Sequence, residues 1–174
     1  EDKFENVSEV VTKNVKAREL QYDDTVDKNL RYVGTNPNNY VTFSGQSWRI
    51  IGVMNHVLDQ SGNQKTSLKL QRTSSRTSPW DGGKGTNWAS AGLRSALNTT
   101  DYNNLEEDSK NMIDEVLWNV GALGGIPGDG LACYEAEKAT GKTWSGKVGL
   151  FAPSDYAYSG GWVNQFRTSS NIRY

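Results

Sequence analysis

At 174 residues, with 35% hydrophobic side chains and a formal charge of -1 from 19 basic and 20 acidic groups, the chain has the material for one domain with its own core. It carries no basic surplus to neutralise a phosphate backbone, which excludes nucleic acid as an expected partner, and no apolar run approaches the about 18 residues of a membrane span. A single cysteine, Cys133, excludes an internal disulfide and a cysteine-rich metal site.

Eighteen glycines and a mean hydropathy of -0.70 point to short elements joined by long irregular loops. The chain opens on Glu1 and ends in a polar tail at Tyr174, so a leader or anchor upstream and further residues downstream are expected. Phe4, Val7, Val11 and Val15 recur at helical spacing, predicting an amphipathic helix over Phe4 to Leu20 that docks on the domain or continues an upstream helix. The polar stretch Gln21 to Asn29, with Asp23, Asp24 and Asp27, reads as a solvated linker. The expected division is therefore helix and linker over 1–29 and one α+β domain over 30–174.

Leu30 to Val33 reads as a short strand and Gly34 to Asn39 as a turn. The densest apolar segment follows: Val41, Phe43, Trp48, Ile50, Ile51 and Val53 flank Gly45-Gln46 as the two arms of a β-hairpin. Thr66 to Arg72 alternates Leu68 and Leu70 with Lys69 and Gln71, and completes a β-meander that turns its leucines to the core. Thr73 to Thr86 is a long Ser/Thr/Gly-rich loop that holds Trp80. Asn87 caps a predicted helix from Trp88 to about Asn98, and Leu105 to Val120 reads as a second helix ending at Gly121. Cys133 to Ala139 fits either a short helix or an irregular strand, and Lys147 to Phe151 has the composition of a buried strand. The fold class expected is α+β, with an N-terminal amphipathic helix, an antiparallel β-meander core, two further helices and long loops.

Several spacings fail the chemistry they first evoke. His56 and Cys133, each the only one of its kind, would form a nucleophile and base only if the fold brought them into hydrogen-bond contact. Gly82 to Thr86 lacks the four residues a phosphate-binding loop needs before its Gly-Lys. Neither Asp59 to Asn63 nor Asp101 to Asn104 reproduces a calcium loop with its closing glutamate. Glu135 and Glu137 share a face only on a strand, and on a helix they separate. Aromatic rings in Gly/Ser-rich loops are the stronger signal, since a rigid ring stacks on a sugar or anchors a partner at low entropy cost. Packing is expected for Trp48, Trp88, Trp118 and Trp144, and display for Trp80, Tyr158 and Trp162.

The segments LRYVGTNPNNYVTFSGQSWRIIGVMN, LKLQRT, WDGGKGTNWASAGLRSALNTTDYNNL, KNMIDEVLWNVG and TWSGKVGLFAPSDYAYSGG together resemble an extracellular domain of gut Firmicutes surface proteins, over about Leu30 to Gly161. That domain often follows a type IV pilin-like helix, and its layout is similar to C-type-lectin-like and sulfatase-modifying-factor-like domains. The resemblance implies that Phe4 to Leu20 is the end of a pilin-type helix. Two departures matter: Tyr156-Ala157 stands where the family has Tyr-Gly, which marks the motif as structural, and the tail lacks the family's cysteines. The expected function is a non-enzymatic cell-surface module, pilin-like or adhesin-type, that assembles through its N-terminal helix and presents loops to a glycan or surface-protein ligand. A free-standing carbohydrate-binding lectin-like module is the alternative, and a carboxylate-dependent hydrolase the third reading. The ligand-binding residues expected are Trp80, Asp81, Lys84, Asp155, Tyr156, Tyr158 and Trp162, with no catalytic residue and no metal ligand assigned. No cofactor is expected, calcium being the one ion the lectin-like layout implies.

Overall fold

The computed structural model describes residues 20–32, 37–75, 77–81, 87–125 and 127–159. The proposed N-terminal helix lies outside the described residues, apart from Leu20.

The longest element is β4 (Gln46–Leu58), and the first sheet is built along it. One edge of β4 takes β3 (Tyr40–Phe43) and, beyond it, β2 (Leu30–Tyr32), both antiparallel; between them Ile50 N donates to Asn39 O at 2.8 Å. The other edge takes β5 (Gln64–Arg72) along nearly its whole length. The β3–β4 hairpin turns at Ser44 and Gly45, both at positive φ, which glycine adopts without strain. The ladder with β5 bulges after Ile50 and again after Met54, and the second bulge holds His56 at φ 57°. Gly52 is required by a close approach: a Cβ there would stand 2.3 Å from the carbonyl oxygen of Leu30.

The stretch expected to be a linker is part of this sheet. Leu20 opens β1 (Leu20–Tyr22), which pairs with β2 in the register Leu20 to Tyr32. The loop between them closes on Asp23, whose amide donates to Asn29 O at 2.8 Å and whose carboxylate collects five donors from Thr25, Asn29 and Arg31. Asp23 is a structural turn former, which a count of polar residues does not distinguish from a solvated loop. Leu20, Tyr32 and Ile50 form the buried apolar cluster, with Leu30, Val41 and Leu70 packed against it. Leu68, expected in the core beside Leu70, is 39% exposed.

The rest of the chain forms a second layer. Asn87 caps a single 3-10 turn at Trp88–Ser90, accepting Ala89 N at 3.0 Å, and α1 (Gly92–Ala96) continues through a wide turn to Asp101. The helix expected over Leu105 to Val120 is corrected by the structure. Helical geometry covers only α2 (Glu107–Asn111), after which the chain extends into β6 (Val116–Asn119) and pairs with β7 (Thr143–Gly146), Trp118 opposite Trp144. Apolar residues at helical spacing serve either element when the run is short, and the strand partner, more than twenty residues away, decides between them. α3 (Gly130–Ala139) is capped by Asp129, so the open segment at Cys133 is helical. Lys147 to Phe151 is not a strand: Asn98 takes the place of a strand partner, donating to Val148 O at 2.8 Å and accepting Val148 N at 3.0 Å. Gly149 lies flat on the Trp118 ring. The last described element is α4 (Pro153–Tyr158). The domain is thus mixed α and β with antiparallel sheets and short helices.

Candidate functional site

Two features stand between the layers: a buried chain of charges and an open cleft. Asp23, Arg31, Asp155 and Lys69 alternate in sign across the junction. Arg31, with a side chain 5% exposed, donates Nε to Asp23 at 3.1 Å and Nη1 to Asp155 Oδ1 at 2.6 Å. Lys69 Nζ pairs with the other Asp155 oxygen. Burial opposes ionisation of Asp155, but Lys69 and Arg31 outweigh it and hold the carboxyl below its ordinary range.

Neighbouring contacts extend this junction. Glu137 on α3 accepts Ser154 N and Ser154 Oγ, each at 2.8 Å, and ties α3 to the first turn of α4. Burial pushes the Glu137 carboxyl above its ordinary range, against the pull of the Ser154 hydrogen bonds. Tyr158 donates to Asp24, and its ring lies 4.8 Å from the Arg31 guanidinium carbon; Tyr134 donates to Asp27. Burial together with these carboxylates raises both phenols well above their ordinary range. The β1–β2 loop is therefore the dock on which α3 and α4 sit.

The cleft, about 710 Å³, opens between the sheet and the second layer. Trp48 and Ile51 from β4, Leu93 and Leu97 from α1, and Trp118 and Phe151 give it an apolar lining. Ser74, Ser75, Thr77 and Ser78 from the long loop, with Arg72, Asp101 and Tyr102, give it polar groups. Both indole N–H groups in this lining are satisfied by the main chain, Trp48 at Phe43 O and Trp118 at Gly146 O, which fixes their rings. Arg72 stands 3.9 Å from Asp101, the one carboxylate among the described residues of the lining. Beside the loop, Trp80 is 37% exposed and stacks tilted at 5.6 Å on buried Trp88, which meets Trp144 edge-on at 5.7 Å. The Trp80 carbonyl accepts the amide of Leu93, so this ring stands next to the cleft wall.

The residues expected to bind a ligand separate into groups. Trp80 is partly exposed, and Asp81 follows it half-buried near Gly92. Asp155 and Tyr158, expected in a displayed loop, belong instead to α4 and face inward, because their polar groups meet Arg31, Lys69 and Asp24 on the first sheet and its loop. Tyr156 is half-buried on the same helix. Lys84 and Trp162 lie outside the described residues. Sequence reasoning missed Arg31 and Lys69, and its helical reading of Glu137 as a solvated charge is corrected, since Glu137 is buried against Ser154. The one local signal of Arg31 and Lys69 is a charge set between apolar neighbours, as in Leu30-Arg31-Tyr32 and Leu68-Lys69-Leu70.

His56 and Cys133 are not a pair. His56 is half exposed with Nδ1 3.7 Å from Asp27, whereas Cys133 is fully buried, its thiol facing Pro127 O and pushed up by burial, Glu137 and Asp129. Glu135 is exposed and Glu137 buried, as helical spacing separates them. Asp59 spends its carboxylate on Ser61 N, Asn63 N and Asn63 Nδ2, all within 2.9 Å. Among the described residues no group of three or more His, Cys, Asp or Glu is placed to hold a metal ion, and no helix is long and apolar enough to cross a membrane. Comparison with family models, curated proteins and solved structures gives no match.

Proposed function

We propose that the protein is a non-enzymatic, adhesin-type cell-surface module that binds a glycan in the cleft, with Trp80 and the Thr73 to Asp81 loop as the recognition edge. The composition of the cleft carries the reading. Fixed aromatic and aliphatic side chains suit the C–H faces of a sugar, and the serine and threonine hydroxyls beside Arg72 and Asp101 suit its hydroxyl groups. Hydrolysis is disfavoured because it calls for two carboxylates across the scissile bond, and Asp101 is the one acid in the described lining. Two small antiparallel sheets joined by short helices and long loops agree with a C-type-lectin-like layout, which belongs to the same proposal. Pilin-type assembly would rest on the N-terminal segment, outside the described residues.

A glycan array probed with the labelled protein tests this reading. Binding to at least one oligosaccharide class is expected. Trp80→Ala should weaken it roughly fivefold, the equivalent of about 1 kcal/mol of stacking, and Thr77→Trp, which fills the cleft from its polar side, should abolish it. The proposal fails if no glycan is retained, or if both variants bind like the parent while keeping its melting temperature.

A further inference from the structure

We infer that Lys69 and Asp155 condense into an intramolecular amide that staples β5 to α4, with Arg31 as the group that assists the reaction. The two side chains are 86 residues apart in sequence and in direct contact, Nζ against Oδ2. Asp155 is 2% exposed, and the Trp118 ring lies 5.3 Å from Lys69 Nζ on a side chain that is itself 22% exposed. An amine and a carboxyl held in contact, the carboxyl buried and the amine at the wall of the cleft, have the proximity that makes an intramolecular acylation fast.

The atoms balance without a co-reactant. The pair rests as ammonium and carboxylate, and in the reacting form the ammonium has passed one proton to Oδ2, leaving an amine and an acid. The nitrogen attacks Cγ, the C–N bond forms, and Oδ1 carries the developing negative charge where Arg31 Nη1 already donates at 2.6 Å. Oδ2 then leaves as water with the second proton from the nitrogen. That proton passes within the pair, from nitrogen to the departing oxygen; Glu137 accepts Ser154 N and Ser154 Oγ, each at 2.8 Å, and so fixes the backbone next to Asp155.

Charge bookkeeping favours the product. The network buries two anions and two cations, and desolvating each ion is costly even when it is paired. Condensation removes one anion and one cation, and leaves Arg31 paired with Asp23 at 3.1 Å and donating to the new amide oxygen. The staple also supplies a cross-link to a chain whose single cysteine cannot provide one.

The test is intact mass of the denatured full chain, followed by tryptic mapping. The expected result is a mass one water below the sequence mass and a branched peptide joining Thr66–Arg72, uncleaved at Lys69, to Val148–Arg167. Lys69→Arg should restore the full mass. The inference is overturned if the folded parent has the full sequence mass. It is equally overturned if the lost water maps to an unbranched peptide, as cyclisation of Glu1 or succinimide formation at Asp81-Gly82 or Asp129-Gly130 would give. Because the parent protein alone decides, a variant that fails to fold does not blur the outcome.

Discussion

Replacing Asp23 should expose how much of the domain rests on one carboxylate. Its Oδ1 accepts Thr25 N at 3.2 Å, Thr25 Oγ1 at 2.6 Å and Asn29 N at 3.0 Å, while Oδ2 accepts Asn29 Nδ2 and Arg31 Nε, both at 3.1 Å. Asp23→Ala leaves two main-chain amides without an acceptor, at about 1 kcal/mol each, and a buried guanidinium with one partner fewer, at about 2–3 kcal/mol, for a total near 4–5 kcal/mol. Asp23→Asn keeps an acceptor for the Oδ1 donors but turns an N–H₂ toward Arg31 and the Asn29 amide. Asn29 cannot flip to compensate, since its own Oδ1 accepts Asn55 N at 2.9 Å. The Asn variant should therefore lose about 2–3 kcal/mol, between parent and Ala. Urea unfolding followed by tryptophan fluorescence measures both, with unchanged slope expected. If the Ala variant unfolds within about 1 kcal/mol of the parent, the carboxylate is not the keystone of the β1–β2 loop and the accounting here is wrong.

Two further substitutions test the frame. Gly52→Ala must push β2 away from β4, because the added methyl would meet the Leu30 carbonyl at 2.3 Å, and should destabilise the domain by about 2–3 kcal/mol in the same assay; a neutral result would show that the strands approach less closely. Asp114 is held below its ordinary range mainly by the hydrogen bond from Lys65, 2.7 Å away, with Ser67 assisting. Its folded pKa lies below the unfolded one, so its contribution is present above the ordinary aspartate range and is lost as pH falls through the lowered value. Asp114→Asn should accordingly flatten the acid limb of a melting-temperature profile, modestly because the pair is partly exposed. A parallel acid limb in both proteins would remove Asp114 from the account.

The β3–β4 hairpin was legible because its determinants are local, a glycine turn between two alternating arms, although the turn falls at Ser44-Gly45, one residue before the Gly45-Gln46 expected, and Gln46 opens β4. Asn87 as a cap was legible for the same reason, its carboxamide reaching an amide two residues on. The serine- and threonine-rich loop drew attention through its length, and part of it borders the cleft. What failed were inferences that turned on a distant partner. The run from Leu105 carries apolar residues at helical spacing, yet Val116 to Asn119 is extended because Thr143 to Gly146 lies beside it. Gln21 to Asn29 looked like a linker because nothing local shows that Asp23 will be sealed by Arg31 and that Tyr134 and Tyr158 will close on Asp27 and Asp24.

Residue types and spacing by themselves determined the Asn87 cap, the apolar arms of the central hairpin and a mixed α and β architecture, since the first two depend on interactions within a few residues and the third on their alternation along the chain. Only the tertiary structure decided that Asp155 belongs to the interior, because its cations come from Arg31, 124 residues away, and Lys69, 86 residues away. A charge in a polar motif reads as exposed until the fold supplies the opposite charge that makes its burial tolerable.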